Sequence, residues 1–262
     1  MSSPTVLIIA GSDSSGGAGL QRDLRVLADF KVRSVSAITA ITAQTDQAVT
    51  SVSILSPDII RDQIRAALAT CPVAAVKIGM LGNAATVGVV AECLGTLRGI
   101  PIILDPVLSS SSGRVLLDEE GQRTIRVALF PMVTLLTPNI PEAAALLGGN
   151  ALNEECLLNL GPQAVLLKGG HGAENQSIDV LFERGREPIR LLAPRVAASM
   201  RGTGCALSTA IAAGLAKGQT LAESCSIAKN YVLDQMQIAS ANSNPALVSW
   251  PRPDEPPCQT TA

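Results

Sequence analysis

Short runs that are apolar at nearly every position alternate along this chain with longer stretches in which apolar residues recur every three or four positions. The runs Thr5–Ala10, Val35–Thr39, Ala75–Ile78, Pro101–Leu104, Val133–Leu136 and Ala164–Leu167 predict strands. Segments such as VLII and IIL have no polar face, which suits a parallel sheet covered on both sides. Between the strands, Leu20–Phe30, Pro57–Thr70, Ala84–Leu97, Gly121–Leu129, Pro141–Leu147 and Glu154–Leu160 predict helices. Alternation of this kind builds βαβ units, so the expected fold is α/β, three layers deep, with a mostly parallel central sheet. The pattern changes over Ile178–Leu192, where two strand-like pieces flank Glu183-Arg184-Gly185-Arg186-Glu187, the signal of an antiparallel hairpin at a sheet edge. Two helices, Cys205–Lys217 and Leu221–Ile238, follow. From Ser240 onward Asn, Ser and Pro dominate, which gives one domain over residues 1–240 and a poorly ordered tail over 241–262.

Composition narrows the partners. The chain has 262 residues, 47% of them hydrophobic and 16% charged, with a net charge of −2. It therefore lacks the basic field that recruits nucleic acid. Three Phe, one Tyr and one Trp cannot form a platform for stacking successive bases. No apolar run approaches a membrane span, and no basic, apolar leader is visible at the start. The cysteines at 71, 93, 156, 205, 225 and 258 form no C-x-x-C pair, which suits free thiols in a reducing cytoplasm. A single histidine, His171, excludes zinc sites that need two imidazoles and leaves a Ser-His hydrolase little room.

In a parallel α/β sheet, ligands bind beyond the carboxyl ends of the strands, and several polar motifs fall there. Arg201-Gly202-Thr203-Gly204-Cys205 leads into an alanine-rich helix. Backbone N–H groups at a helix start lack intrahelical partners, and the dipole adds positive charge, so this turn suits an anion. It also brings a thiol to the same spot, with an expected pKa below the ordinary value. The segment Gly11-Ser12-Asp13-Ser14-Ser15-Gly16-Gly17-Ala18-Gly19 has P-loop spacing between Gly11 and Gly16. Gly17 and Ala18, however, stand where Lys and Ser/Thr are required, so Walker-type nucleotide binding is excluded. A flexible turn and a close backbone approach to a ligand both fit that segment. Asp105, past the Ile102-Ile103-Leu104 strand, suits either Mg²⁺ or a substrate hydroxyl, or a cap before Pro106. In Thr137-Pro138-Asn139-Ile140-Pro141-Glu142, helix capping and oxygen ligation of hydrated Mg²⁺ are both open. Lys168, in Leu167-Lys168-Gly169-Gly170-His171, is placed to meet a phosphate, while the lone His171 is read as a structural donor.

The set GSDSSGGAGLQ, TAQ, VKIGML, DPV, TPNIPEA, LKGGH and GTGC, in this order from about Val6 to Tyr231, resembles the ribokinase-like superfamily. Within it the likeness is to the hydroxymethylpyrimidine/phosphomethylpyrimidine kinases of thiamin biosynthesis. GTGC is specific, since sugar kinases of the superfamily usually end that turn in Asp. The resemblance implies a ribokinase-like fold, often dimeric, using ATP and Mg²⁺. The implied reaction phosphorylates the alcohol of 4-amino-5-hydroxymethyl-2-methylpyrimidine, then its monophosphate to the diphosphate. It further implies that Gly202, Thr203, Gly204 and Cys205 surround the transferring phosphoryl, with Cys205 at the base position. Gln44 would pair with the aminopyrimidine edge, and Gly11, Ala18, Met80 and Val107 would line the ring pocket. Asp105, Asn139 and Glu142 would belong to the Mg–ATP side, with Lys168 near the nucleotide phosphates.

Chemistry agrees on two points. A glutamine amide complements a ring nitrogen beside an amino group, and a loose phosphoryl-transfer transition state tolerates a modest base. The chain departs from the family where Met200 and Arg201 replace the usual Thr-His before GTGC. Arg201 gripping a phosphate and Arg201 in a surface salt bridge are both open. A pyridoxal-type kinase and a degenerate, non-catalytic pyrimidine or nucleotide binder are the alternative functions.

Overall fold

A computed structural model describes residues 3–45, 47–110, 112–148, 150, 152–169, 176–196 and 200–241. Its centre is β1 (Thr5–Asp13), whose side chains are almost all buried. Successive residues of a strand face opposite sides, and here the two sides feed different cores. Leu7 and Ile9 point into one core, while Val6, Ile8 and Ala10 point into the other. β1 pairs in parallel with β2 (Arg33–Gln44) and β4 (Ala75–Ile78). The parallel run continues through β5 (Ile102–Leu104), β6 (Leu135–Leu136) and β7 (Ala164–Leu167). β3 (Val49–Ile54) closes one edge antiparallel to β2, and the hairpin β8 (Gln176–Glu183) and β9 (Ile189–Pro194) closes the other. Among the described residues nine strands form one sheet in the order β3-β2-β1-β4-β5-β6-β7-β8-β9.

Helices cover both faces. The core that includes Leu7 and Ile9 is completed by α2 (Pro57–Thr70), α3 (Ala84–Leu94), α4 (Glu119–Ala128), α5 (Ile140–Leu147) and α6 (Glu154–Leu158). The opposite core is built on α1 (Gly19–Asp29), α7 (Thr203–Ala216) and α8 (Leu221–Ala241). α7 is buried continuously from Ala206 to Gly214. Its small residues make that possible: a Cβ on Gly214 would press 2.6 Å from the Ser224 hydroxyl of α8. This is the expected three-layer, mostly parallel architecture.

Beyond shifts of a few residues at helix ends, three strands differ from the sequence expectation. β1 runs on through Gly11-Ser12-Asp13, β2 runs on to Gln44, and β3 is an added strand. Thr42 and Asp13 pair across the extension, after a register shift between Ala10 and Ser12. The strands therefore carry Asp13 and Gln44 past the sheet's carboxyl edge on rigid backbone. Gly170 and His171 of the fourth motif, and the tail from residue 242, lie outside the described residues.

Candidate active site

Asp13 organises the first glycine segment. Its carboxylate is buried; Oδ1 accepts from the Ser15 N–H and hydroxyl at 2.9 Å each, and Oδ2 accepts from the Ala18 N–H at 2.8 Å. One side chain thus satisfies the backbone of the turn and delivers it to the start of α1. The turn is ordered by its own carboxylate rather than being a loose connection. Ala18 is the α1 N-cap. Gly11 faces Met80, whose sulfur would lie 2.9 Å from an added Cβ. Met80 and Val107 belong to one small apolar cluster with Ala40, Val52 and Leu116, and the Met80 carbonyl accepts from the Thr39 hydroxyl at 2.6 Å. Gly11, Met80 and Val107, expected as ring-pocket residues, are therefore brought together.

Gln44 ends β2, with its backbone N–H and carbonyl both bonded to the Ser14 hydroxyl. Arg201 crosses to it from the start of α7. Nη2 donates to Gln44 Oε1 at 2.6 Å, and Nη1 donates to the Thr45 carbonyl at 2.7 Å and to the Ser15 hydroxyl at 3.0 Å. Asp13 Oδ2 lies 3.5 Å from Nη2. Arg22, also buried, donates to the carbonyls of Gly17 and Arg201. Two arginines thus clamp the glycine segment, the end of β2 and the α7 start to one another.

The α7 start fits against that clamp without room for a side chain. Gly202, its N-cap, has φ +71°, and a Cβ there would collide with the Gly17 carbonyl. Only glycine meets both demands at no cost. Gly204 faces the other way, where an added Cβ would lie 3.2 Å from Lys168 Nζ and 3.5 Å from Asp105 Oδ2. The first amides of α7 therefore open between the first glycine turn and a charged cluster. Cys205 is partly buried, and its sulfur is also met by the Gly19 backbone amide at the start of α1. Two helix starts converge on the thiol, yet it does not become acidic. Burial pushes its pKa up to about 11, against the downward pull of Lys77. The expectation of a lowered thiol pKa is corrected: at this site desolvation outweighs the helix dipole and the nearby ammonium.

Lys77 lies below Cys205 with no solvent exposure, its Nζ 2.7 Å from Asp23 Oδ2. Asp23 Oδ1 accepts from the Thr209 hydroxyl at 2.8 Å, one turn along α7 from Cys205. Burial alone would lower the Lys77 pKa, but Asp23, with Cys205 and Asp105 beyond it, holds it above the ordinary value.

The charged cluster joins Asp105, Lys168 and Glu142. Lys168 Nζ is 2.8 Å from Asp105 Oδ1 and 3.8 Å from Glu142 Oε2. Thr137 also donates to Asp105 at 3.3 Å. Asn139 is the N-cap of α5: its Oδ1 accepts from the Glu142 N–H, and Glu142 Oε2 accepts from the Asn139 N–H. The capping alternative is thus realised in full as a reciprocal capping box. Among the described residues no three acidic, cysteine or histidine groups converge as a ready metal cage. Asp105 and Glu142 with a lysine between them instead suit a magnesium ion that keeps its waters and arrives on phosphates. Burial raises Glu142 to about 7, with Lys168 opposing and Asp105 adding. Beside this cluster opens a cleft of about 630 Å³, reached by Asn139, Lys168, Thr203 and Gly204 and walled by Val232 and Met236 of α8.

The phosphomethylpyrimidine kinase family model matches residues 13–246. The chain belongs to that family. Among its relatives, the hydroxymethylpyrimidine/phosphomethylpyrimidine kinase of Aquifex aeolicus is 38% identical over 239 residues, covering 88% of this chain and 93% of that protein. The thiamine biosynthesis bifunctional protein ThiED of Geobacter sulfurreducens is also 38% identical, over 90% of this chain. The chain spans only 49% of that relative's length, about half. Of solved structures, the phosphomethylpyrimidine kinase of Clostridium difficile superposes with a TM-score of 0.75 at 35% identity, covering 89% of this chain and 99% of that one. The pyridoxal kinase of Staphylococcus aureus in complex with AMP-PCP and pyridoxal superposes with a TM-score of 0.82 at 28% identity, covering 91% of this chain and 89% of that one.

Sequence reasoning did not assign Asp13, Arg22, or the Lys77–Asp23–Thr209 triad. A signal was present for two of them. Lys77 is a charge inside an otherwise apolar central strand, AVKI, and Asp13 stands two residues before a serine-glycine turn. Neither pattern names its partner.

Proposed function

We propose that this family member transfers the γ-phosphoryl group of ATP to the hydroxymethyl oxygen of 4-amino-5-hydroxymethyl-2-methylpyrimidine, and then phosphorylates the monophosphate to the diphosphate. The observation that carries this reading is the single seam at the sheet's carboxyl edge. There the α7 amides and the Asp105–Lys168–Glu142 cluster with its cleft meet the first glycine segment, whose Gly11 faces the apolar cluster of Met80 and Val107. Nucleotide phosphates lie along the cleft, against Lys168 and the open N–H groups of Gly204 and its neighbours. The ring lies on Met80 and Val107, with its amino edge toward Gln44 and its alcohol toward Cys205.

Asp105 and Glu142 would hold Mg²⁺, whose charge would neutralise that of the phosphates. The protein's own part is chiefly position and fixed dipoles. Lys168 moves from carboxylates to phosphate oxygens, and the α7 amides face the charge that develops on the transferring group. Cys205 is a thiol at neutral pH, so only its small thiolate fraction can take the alcohol's proton. A loose transition state lets that proton leave late, which limits how much the base contributes.

Steady-state ATP consumption with the alcohol, with its monophosphate and with pyridoxal tests the assignment. The expected order of kcat/KM puts both pyrimidines above pyridoxal. Preference for pyridoxal would replace the substrate, and absence of turnover with all three would sink the kinase reading. The pyridoxal kinase likeness is the reason pyridoxal is in the test. A glutamine amide facing the ring is the reason it ranks last, because an unpaired buried amide penalises a ring lacking the matching edge.

A further inference from the structure

We infer that Arg201, where the family's usual histidine is replaced, is a positioning residue that fixes which way round the Gln44 amide is presented, and so sets acceptor specificity. This rests on Gln44 facing the acceptor ring. A glutamine amide can flip by half a turn with little change in shape, exchanging a carbonyl acceptor for an NH₂ donor. In this chain both ends of the amide are determined. Thr42 is buried, and its hydroxyl spends its single proton on the Ser12 carbonyl at 2.8 Å. Thr42 Oγ1 can therefore only accept at its remaining face, and Gln44 Nε2 donates to it at 2.7 Å. At the other end the Arg201 guanidinium, which carries donors alone, meets Gln44 Oε1 at 2.6 Å. The flipped amide would set NH₂ against guanidinium and oxygen against oxygen, losing both bonds.

With those two bonds made, Gln44 keeps one N–H and one acceptor position. That pair complements a ring nitrogen beside an amino group, the edge of a 4-aminopyrimidine. A guanidinium also polarises the carbonyl it holds, strengthening a bond made to the amide's own N–H. Arg201 is itself held on three sides, by Thr45, Ser15 and Asp13, and its carbonyl accepts from buried Arg22. It is thus an internal pin rather than a phosphate clamp or a surface ion pair. Its place directly before Gly202 also ties ring orientation to the α7 start.

The test compares 4-amino-5-hydroxymethyl-2-methylpyrimidine with the same ring lacking the amino group. The measured quantity is the ratio of their kcat/KM values, with melting curves run on every variant. Arg201→Met is expected to raise KM for the aminopyrimidine by about tenfold to hundredfold and lower the ratio by a similar factor, with kcat within about threefold. Arg201→Lys should recover part of the ratio. Thr42→Val, which releases the opposite end of the amide, should lower the ratio in the same direction and carries the test if Arg201→Met fails to fold. In a Gln44→Ala background, Arg201→Met should leave the ratio unchanged. An equal fall in kcat for both rings, or an undiminished effect of Arg201→Met without Gln44, overturns the inference. Turnover of neither ring by the unaltered protein is a separate outcome, and it removes the function and this inference together.

Discussion

Two lysines sit beneath this site, each bonded to an aspartate, and they do opposite work. Lys77 and Asp23 have no solvent exposure, and Thr209 takes the second carboxylate oxygen. Lys168 keeps 14% of its side chain exposed toward the cleft, with Asp105 at 2.8 Å and Glu142 only at 3.8 Å. The first pair is sealed from solvent, so it cannot exchange partners with an arriving ligand and serves to hold β4, α1 and α7 in place. The second is open to the cleft, so an arriving phosphate can compete with the carboxylates for the ammonium. Similar pairs thus become scaffold or machinery according to solvent access. Cys205 lies between them: Lys77 draws its pKa down, Asp23 and Asp105 draw it up, and burial outweighs them all.

Removing Lys77 should show the contrast most strongly. Lys77→Met strands Asp23 as a buried, unpaired carboxylate and is expected to cost about 3–5 kcal/mol in urea denaturation. Adding Asp23→Leu should restore much of that loss, because the desolvation penalty goes with the charge. Lys168→Met should reverse the balance, with a stability loss of about 1–2 kcal/mol and a fall in kcat/KM for ATP of about 100-fold to 1,000-fold. If instead Lys168→Met unfolds the protein and Lys77→Met leaves stability intact, the distinction between the pairs is wrong.

Cys205→Ala should lower kcat by about tenfold to hundredfold, below the usual upper range for a general base. A loss near ten-thousandfold would mean that the thiolate carries the reaction after all. The smallest expected effect is on alkylation. With a folded pKa of about 11, about one part in a thousand of Cys205 is thiolate at pH 8. Iodoacetamide labelling followed by site-resolved mass spectrometry should therefore show Cys205 slow at pH 8 and faster toward pH 10. Reactivity already saturated at pH 8 would place the thiol pKa well below that value.

The strand–helix alternation was legible because parallel strands buried on both faces are apolar throughout, as in Val6–Ile9 and Ile102–Leu104. β3 was not, because VTSVSI mixes small polar residues into a half-exposed edge strand. The first glycine motif allowed a close backbone approach to a ligand; the structure shows backbone approaching backbone, at Gly202 against Gly17 and at Gly19 against Gly11. What local pattern could not supply was pairing across long separations. Lys77 and Asp23 are 54 positions apart, and Arg201 and Gln44 are 157 apart. The Cys205 pKa was misjudged for a related reason. A helix start is visible in GTGC, but the desolvation that outweighs it comes from residues packed around it in three dimensions.

The contact of Gly202 with the Gly17 carbonyl has a consequence for how the site can change. It sets main chain against main chain between the α7 start and the first glycine segment, so on the proposed function neither could be enlarged there without driving the reactants apart. On that reading, variation that admits a bulkier acceptor is confined to Met80 and Val107, where side chains rather than main chain set the room.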